Sequence, residues 1–581
     1  MEQVKLLPYG ISDFVELRRQ NKYYVDKTMY IPMLETRANF LFFIRPRRFG
    51  KSLFLNMLSA YYDSKCADRF DELFGDLWIG SHPTPLRGKF QILHLDFSLI
   101  RGDIDNLEVC FNEYMATKLN GFMEKYSSEY SPKVIEAVDN ASDASAKLNV
   151  IVDYAKEHGT QIYLILDEYD NFTNNVLNEK GEAVYTALTH ASGFYRDIFK
   201  IFKVLPTRIF MIGVSPVTLD DLTSGFNIGY NISTDLDFNQ LLGFSTEDVR
   251  EMMRYYLNAG MLPEGTDIEA SLETMKPWYD NYCFSERAVM TQSRVFNSDM
   301  VLYYLNRWMA DKLPPLDLVD PNTKTDYTKM KKLLQLDKLD GDRKGIVHKI
   351  AEQGEIAAQI ESTFPARMLV KPKMFTSLLF YYGMLTYNRK RGSQTILSIP
   401  NNNVRKQYYE YLLEQYEEIA TVDTDELDSE FYELAYEGNW QPTFQFLSEA
   451  YARVSSVRDG IEGERNLQGF FMAYLSLNNY YILAPELEMS HGYCDFFLLP
   501  DFSRYKASHS YIIELKMLKK GEWTEMRAQK QWDEAVEQIK RYAAAPRVEA
   551  LRQGTELHLI ILQFEGWEIR RMESVNRWKR M

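Results

Sequence analysis

Residues 44–52 read Ile-Arg-Pro-Arg-Arg-Phe-Gly-Lys-Ser, between the apolar run Asn39–Ile44 and the apolar-rich segment Leu53-Phe-Leu-Asn-Met-Leu. A strand, a tight basic loop closing on Gly-Lys-Ser, and then a helix form a layout that holds a nucleoside triphosphate. Loop N–H groups and the helix N-terminus face the phosphates, Lys51 reaches the outer ones, and the Ser52 hydroxyl is placed to ligate Mg2+. The general pattern G-x-x-x-x-G-K-[ST] has glycine where this chain has Arg45. Gly-Lys-Ser alone recurs by chance, so the downstream sequence decides.

The run Gln161-Ile-Tyr-Leu-Ile-Leu-Asp-Glu168 reads as a buried strand ending in two carboxylates. In a phosphate-binding fold this strand is expected beside the loop strand. Asp167 then helps hold Mg2+, and Glu168 polarises the attacking water. Two further apolar runs are Arg208–Val214, ending in Ser215-Pro216, and Gln91–Phe97. Continuous apolar runs separated by helix-length segments indicate strands covered on both faces, the sign of a parallel α/β sheet.

At 581 residues the chain exceeds one core and is expected to form about three or four domains. Its 45% hydrophobic and 26% charged residues are ordinary for a soluble protein. Cys66, Cys110, Cys283 and Cys494 are scattered without paired-ligand spacing, which reads as reduced thiols in a cytoplasmic protein. No leader segment and no membrane-length apolar run is read, so no membrane association is expected. The net charge of −15 argues against a protein that coats nucleic acid. It leaves room for a local nucleic-acid site, because charges are screened over about 8 Å at physiological salt.

Residues from about 245 to 365 read mostly as helices. A helix over Pro372–Tyr382, a stop at Gly383, strand Met384–Tyr387, the basic turn Asn388–Ser393 and strand Thr395–Ile399 follow, like the wing of a winged helix. Such a hairpin either grips phosphates or packs as a rigid element, and the second reading is favoured. From about 445 the pattern changes. A helical stretch, Ile461–Leu477, precedes apolar runs at Tyr480–Glu486, Cys494–Leu499 and Ser510–Lys516. Strand alternation puts Glu514 and Lys516 on one face and Ile513 and Leu515 on the other. If the strands pair, Asp495 stands opposite Glu514. Two carboxylates plus the Leu515 carbonyl then offer oxygen ligands for Mg2+, and Lys516 can orient water or neutralise charge on a phosphodiester. Glu-x-Lys on a strand is also a common cross-face charge pair.

Leu7-Pro-Tyr-Gly-Ile-Ser-Asp-Phe14, Tyr24-Val-Asp-Lys-Thr28, Arg45–Leu53, Leu166-Asp-Glu-Tyr-Asp170, Gly213-Val-Ser-Pro216 and Ser224-Gly-Phe-Asn227 together resemble the predicted AAA-ATPase-like family. Arg at position 45 fits that family. Members commonly end in a nuclease-like domain of the PD-(D/E)XK superfamily, whose signature Asp495, Glu514 and Lys516 match. The resemblance implies an N-terminal AAA-like P-loop NTPase domain with a parallel sheet (1–245), a helical domain (246–365), a winged-helix-like module and linker (366–440), and a mixed α/β restriction-endonuclease-like domain (441–581).

By the same resemblance ATP is bound through Arg45, Arg48, Phe49, Gly50, Lys51, Ser52 and Leu53, with Asp167 and Ser215. Mg2+ sits at Ser52 and Asp167, and again at Asp495, Glu514 and Leu515. Gln538, one helical turn before Tyr542, joins the nuclease site with Glu464 and Glu486 as accessory acids, while Lys519 and Lys520 beside it either contact phosphate or form a solvated turn, the usual expectation for such a pair. Arg47, Arg48 or Arg208 contacts phosphate in cis or in a neighbouring subunit of a homo-oligomer, and Tyr23 or Tyr24 flanks adenine or fills core. The implied function is an ATP-binding and ATP-hydrolysing protein coupled to a Mg2+-dependent nuclease acting on DNA or RNA, in defence against foreign DNA. The alternative is a nucleotide-switched sensor or scaffold whose nuclease-like domain docks a partner.

Overall fold

The computed structural model describes residues 3–100, 106–173, 194–217, 229–320, 343–365, 368, 371–419, 422–457, 464–489, 492–502 and 505–575. The motif Ser224–Asn227 lies outside them, as do the side chains of Glu486 and Tyr493. Packing divides the chain into two units, 1–343 with 357–401, and 344–356 with 402–581.

In the first unit β1 (Phe40–Ile44), β2 (Gln91–Asp96), β3 (Ile162–Asp167), β4 (Arg208–Gly213) and β5 (Tyr230–Asn231) form a parallel sheet in the order β2-β3-β4-β1-β5. The four apolar runs read from the sequence are its four longer strands. Their burial explains the unbroken hydrophobicity, since every residue of β3 and β4 is buried. One expectation is corrected. The acidic strand β3 does not lie beside β1, because β4 is inserted between them and pairs with both. All strands run the same way, so the ends of β1 and β3 still open onto one edge, where ligands of open α/β sheets bind.

Helices Thr246–Asn258, Ile268–Tyr279 and Ser298–Asp311 bury Met252, Tyr256, Leu272, Met275, Tyr304 and Trp308 in a second cluster of this unit. Leu7, Tyr23 and Val25 from the chain start pack against it. The helical segment and the chain start therefore share this cluster. After the short strand β6 (Glu355–Ala357) and helix Pro372–Tyr381 comes the hairpin β7 (Thr386–Arg391) and β8 (Gln394–Ser398). Its basic residues, expected in the turn, belong to β7. A register shift between Tyr387 and Arg389 extends the strand to Arg391 and leaves Gly392 (φ +61°) and Ser393 as the turn. Thr386 Oγ1 accepts from the Cys283 N–H at 2.7 Å, and Lys390 pairs with Glu286 at 3.2 Å. These contacts agree with a packing role. Gly383 touches the phosphate loop, where a Cβ would stand 2.8 Å from Pro46 Cγ.

The second unit holds helices Asn402–Glu417, Leu427–Tyr436, Gln441–Val457 and Glu464–Leu475. A mixed sheet follows, of β9 (Tyr481–Met489), β10 (Gly492–Pro500), β11 (His509–Leu518), β12 (Glu556–Glu565) and β13 (Glu568–Ser574). The order is β13-β12-β11-β10-β9, with β11 and β12 parallel and the other pairs antiparallel. Helix Glu525–Ala543 covers one face, where Trp532, Ala535 and Ile539 pack with Phe497, Ile512 and Ile561.

Candidate functional sites

The phosphate loop turns from β1 into helix Lys51–Tyr62 through two left-handed residues, Arg48 (φ +66°) and Gly50 (φ +85°). Gly50 is the helix N-cap and takes this conformation without steric cost, which leaves the first helical N–H groups facing a cavity of about 620 Å³. Lys51 is 6% exposed and donates to the Pro46 carbonyl at 3.1 Å. Burial pulls its ammonium below the ordinary lysine range, against the upward pull of Glu168 and Asp167. A cation held by a loop carbonyl in a desolvated cleft is stabilised further by an incoming anion.

Ser52 Oγ donates to Asp167 Oδ2 at 2.6 Å, and Asp167 Oδ1 accepts from the Glu168 N–H at 2.9 Å. Burial pushes the Asp167 carboxyl up to about 6. Hydroxyl and carboxylate thus meet as a hard-oxygen pair beside Lys51, a donor set that fits Mg2+. Glu168 lines the cavity and has φ +47°, a left-handed backbone that costs a non-glycine residue roughly 1–2 kcal/mol. The next residues hold it there. Asp170 accepts from the Val214 N–H at 3.2 Å and the Tyr169 hydroxyl donates to the Ser215 carbonyl at 2.6 Å. Asp96, not singled out from the sequence, ends β2 in register with Asp167. A carboxylate closing an apolar run was its signal.

Arg48, Phe49 and Leu53 line the cavity, as do Arg47, Tyr23 and Tyr24. Four expected residues do not, and of these Asp167 is tied to the lining through Ser52. Arg45 is 1% exposed and points into the protein, where it donates to the carbonyls of Ile44 (2.9 Å), Ser233 (2.6 Å) and Phe238 (2.9 Å). Its guanidinium lies 4.1 Å from the ring centroids of both Phe43 and Phe284. It is a core strut in place of a phosphate ligand. Arg208 opens β4 at the opposite end of the sheet and donates to the Glu35 carbonyl at 3.2 Å, too far along the strand to meet phosphate. Ser215 is buried, and its hydroxyl accepts from the Val217 N–H at 3.2 Å, which ties it to its own turn.

In the second unit the register Phe496↔Ile513 brings Asp495 level with Glu514. Asp495 Oδ2 accepts from the Leu515 N–H at 2.6 Å and Oδ1 from Gln468 Nε2 at 2.6 Å. Lys516 donates to Glu514 Oε1 at 2.7 Å, while Glu514 Oε2 is buried with no hydrogen-bond partner. Burial first and Glu514 second push the Asp495 carboxyl up to about 8, and burial raises Glu514 as well. Burial acts to lower Lys516, but Glu514 and Asp495 outweigh it and hold the ammonium above its ordinary value.

Two carboxylates forced together with an unpartnered buried oxygen form a site that a divalent cation fits. Among the described residues no group of three or more His, Cys, Asp or Glu side chains is arranged around a metal position. The Leu515 main chain, water and substrate can supply further ligands. Gln538 Nε2 donates to the Tyr542 hydroxyl at 2.7 Å, beside this pair, since Glu514 and Lys516 act on the Tyr542 phenol, which burial raises most. Glu464 is exposed but near enough to act on Glu514 and Lys516. Gln468 was missed in the sequence. It lies one turn after Glu464 on the same helix face. Lys520 leans on Trp567, its ammonium 4.3 Å from the ring.

Residues 8–223 match the family model described as predicted AAA-ATPase, and residues 462–574 that of the PD-(D/E)XK nuclease superfamily. A relative described as an uncharacterized protein in the vnfD 5′ region of Azotobacter chroococcum mcd 1 is 25% identical over 302 residues, 49% of this chain and 50% of that protein. The chain thus spans about half the length of that relative. The solved Aeropyrum pernix ORC2 protein (ADPNP–ADP complexes) aligns at 12% identity and a TM-score of 0.30, over 66% of this chain and 90% of that one. Among the described residues no helix is long and apolar enough to cross a membrane. A parallel sheet thus stands behind the Gly-Lys-Ser loop in the segment similar to the predicted AAA-ATPase family, and a mixed sheet carries Asp495, Glu514 and Lys516 in the segment similar to the PD-(D/E)XK nuclease superfamily.

Proposed function

We propose that the first unit binds and hydrolyses ATP with Mg2+, and that the second is a Mg2+-dependent nuclease for DNA or RNA whose action depends on the nucleotide. The observation that carries this reading is the paired chemistry of two buried acidic sites. One is Ser52–Asp167 beside Lys51, and the other is Asp495–Glu514 beside Lys516, with an unpartnered Glu514 oxygen.

In the first site Lys51 and the N–H groups after Gly50 bind the outer phosphates, and Ser52 and Asp167 hold the ion. Glu168, fixed at the cavity wall, orients the attacking water. A second carboxylate at this place favours hydrolysis over simple binding. In the second site Asp495 and Glu514 hold the ion, Leu515 fixes Asp495 through its N–H, and Lys516 faces the scissile phosphate. The ion, when bound, neutralises charge developing on the phosphate and lowers the pKa of water. Restriction of foreign DNA is a setting that suits an ATPase joined to a nuclease, by analogy of architecture.

The test uses the full chain with plasmid and single-stranded substrates, with and without ATP. Asp495→Ala is expected to stop Mg2+-dependent cutting while ATP turnover continues. Equal cutting by variant and parent would assign the activity elsewhere.

A further inference from the structure

Arg48 is joined to the helical part of the first unit by both its main chain and its side chain. Its carbonyl accepts from the Ser298 hydroxyl at 3.0 Å and the Asp299 N–H at 3.3 Å. Its guanidinium donates to Asp299 Oδ2 at 2.8 Å, with Asp320 Oδ2 at 3.7 Å. Asp320 is itself held by the Tyr9 hydroxyl at 2.9 Å. Asn297 caps helix Ser298–Asp311 by accepting from the N–H groups of Asp299 and Met300, which fixes Asp299 at the first turn. Arg48 and Asp299 line the same cavity as Lys51 and Ser52.

From this juxtaposition, and resting on the reading of the cavity as a nucleotide site, we propose that Asp299 makes binding there depend on the number of phosphates, by competing with them for Arg48. Two phosphates are served by the loop N–H groups and Lys51, so Arg48 stays on Asp299. A third phosphate adds anionic charge in the space that the Arg48–Asp299 pair borders. A guanidinium favours a phosphate over a half-buried carboxylate when the phosphate brings more charge and several acceptor oxygens. Arg48 then turns to the nucleotide, and Asp299 loses its cation. The start of helix Ser298–Asp311 is thereby loosened from the loop with a triphosphate but not with a diphosphate. Asp299 acts through Arg48, which makes it a specificity-determining residue without requiring that it touch the nucleotide.

The experiment is calorimetry on the full chain with Mg2+ and either AMP-PNP or ADP, for the parent, Asp299→Asn and Lys51→Ala. Asp299→Asn keeps the shape and removes the competing charge. It is expected to tighten AMP-PNP about tenfold and to change ADP less than twofold. An unchanged or lowered preference for AMP-PNP would overturn the proposal. Hydrogen exchange on the parent gives a second readout independent of the variant's folding. Peptides over residues 298–311 should lose protection with AMP-PNP and keep it with ADP, and identical protection would overturn the proposal. If neither nucleotide binds the parent, the nucleotide reading itself fails. If Lys51→Ala abolishes binding while Asp299→Asn leaves the preference unchanged, the competition alone is wrong.

Discussion

Asp495 and Leu515 are bound to each other across adjacent strands, the Leu515 N–H donating to Asp495 Oδ2 at 2.6 Å. This bond orients the carboxylate beside Glu514, on the sheet face that helix Glu525–Ala543 covers. It concentrates negative charge where burial already disfavours it, and that cost is the chemical reason a cation fits there.

The raised carboxyls give a pH dependence. Between pH 6 and pH 8 the pair without metal holds a proton that a divalent ion must displace, because Asp495 is pushed up to about 8. Mn2+ affinity is therefore expected to rise with pH, up to about tenfold per unit while one proton is released. The same shift makes the metal-free fold lose stability as pH rises from the ordinary carboxylate range toward 8, since the folded state binds the extra proton. Asp495→Asn is expected to weaken both trends, leaving only the share that the buried Glu514 carries. Calorimetric titrations at three pH values check the first, and thermal melts check the second.

Lys51→Ala removes the cation next to the outer phosphates. At about 4 Å and an effective dielectric near 20 the contact is worth roughly 4 kcal/mol before desolvation is subtracted, so ATP affinity should fall by at least a hundredfold. Calorimetry with unchanged affinity would place the nucleotide elsewhere.

Glu168→Gln is expected to keep ATP binding and to slow hydrolysis by about 10²–10⁴-fold, the range for removing a positioned acid–base group. Phosphate release at saturating ATP measures it. Undiminished turnover would leave Glu168 as a wall residue.

Arg45→Met tests the reassignment of that residue. Three buried carbonyls lose their donor, each at about 1–3 kcal/mol when left unpaired. The first unit should melt well below the parent, and nucleotide affinity of the folded fraction should change little. A stable variant that had lost ATP binding would restore Arg45 to the phosphate site.

Much of this was legible because burial on both faces writes itself as unbroken apolar runs. β1 to β4 and β9 to β11 all lie on runs visible in the chain, and the proposed site carboxylates Asp167, Asp495 and Glu514 lie within those strands. Motif position pointed to Lys51, Ser52 and Asp167, which the fold brings together. What the chain hid is direction. Arg45 and Arg48 are equally basic in sequence, but the first lies between Phe43 and Phe284 and the second, left-handed at φ +66°, pairs with Asp299. The insertion of β4 between β1 and β3, and the reach of Gln468 to Asp495, depend on long-range pairing that no local pattern encodes.

Counting Mn2+ by electron paramagnetic resonance in the presence of AMP-PNP tests most directly whether both sites hold a divalent ion. The parent is expected to hold ions in both units, Asp495→Ala to lack the share of the second, and Lys51→Ala to lack the share brought with the nucleotide. An Asp495→Ala protein that binds as many ions as the parent, with the same affinities, would contradict the account.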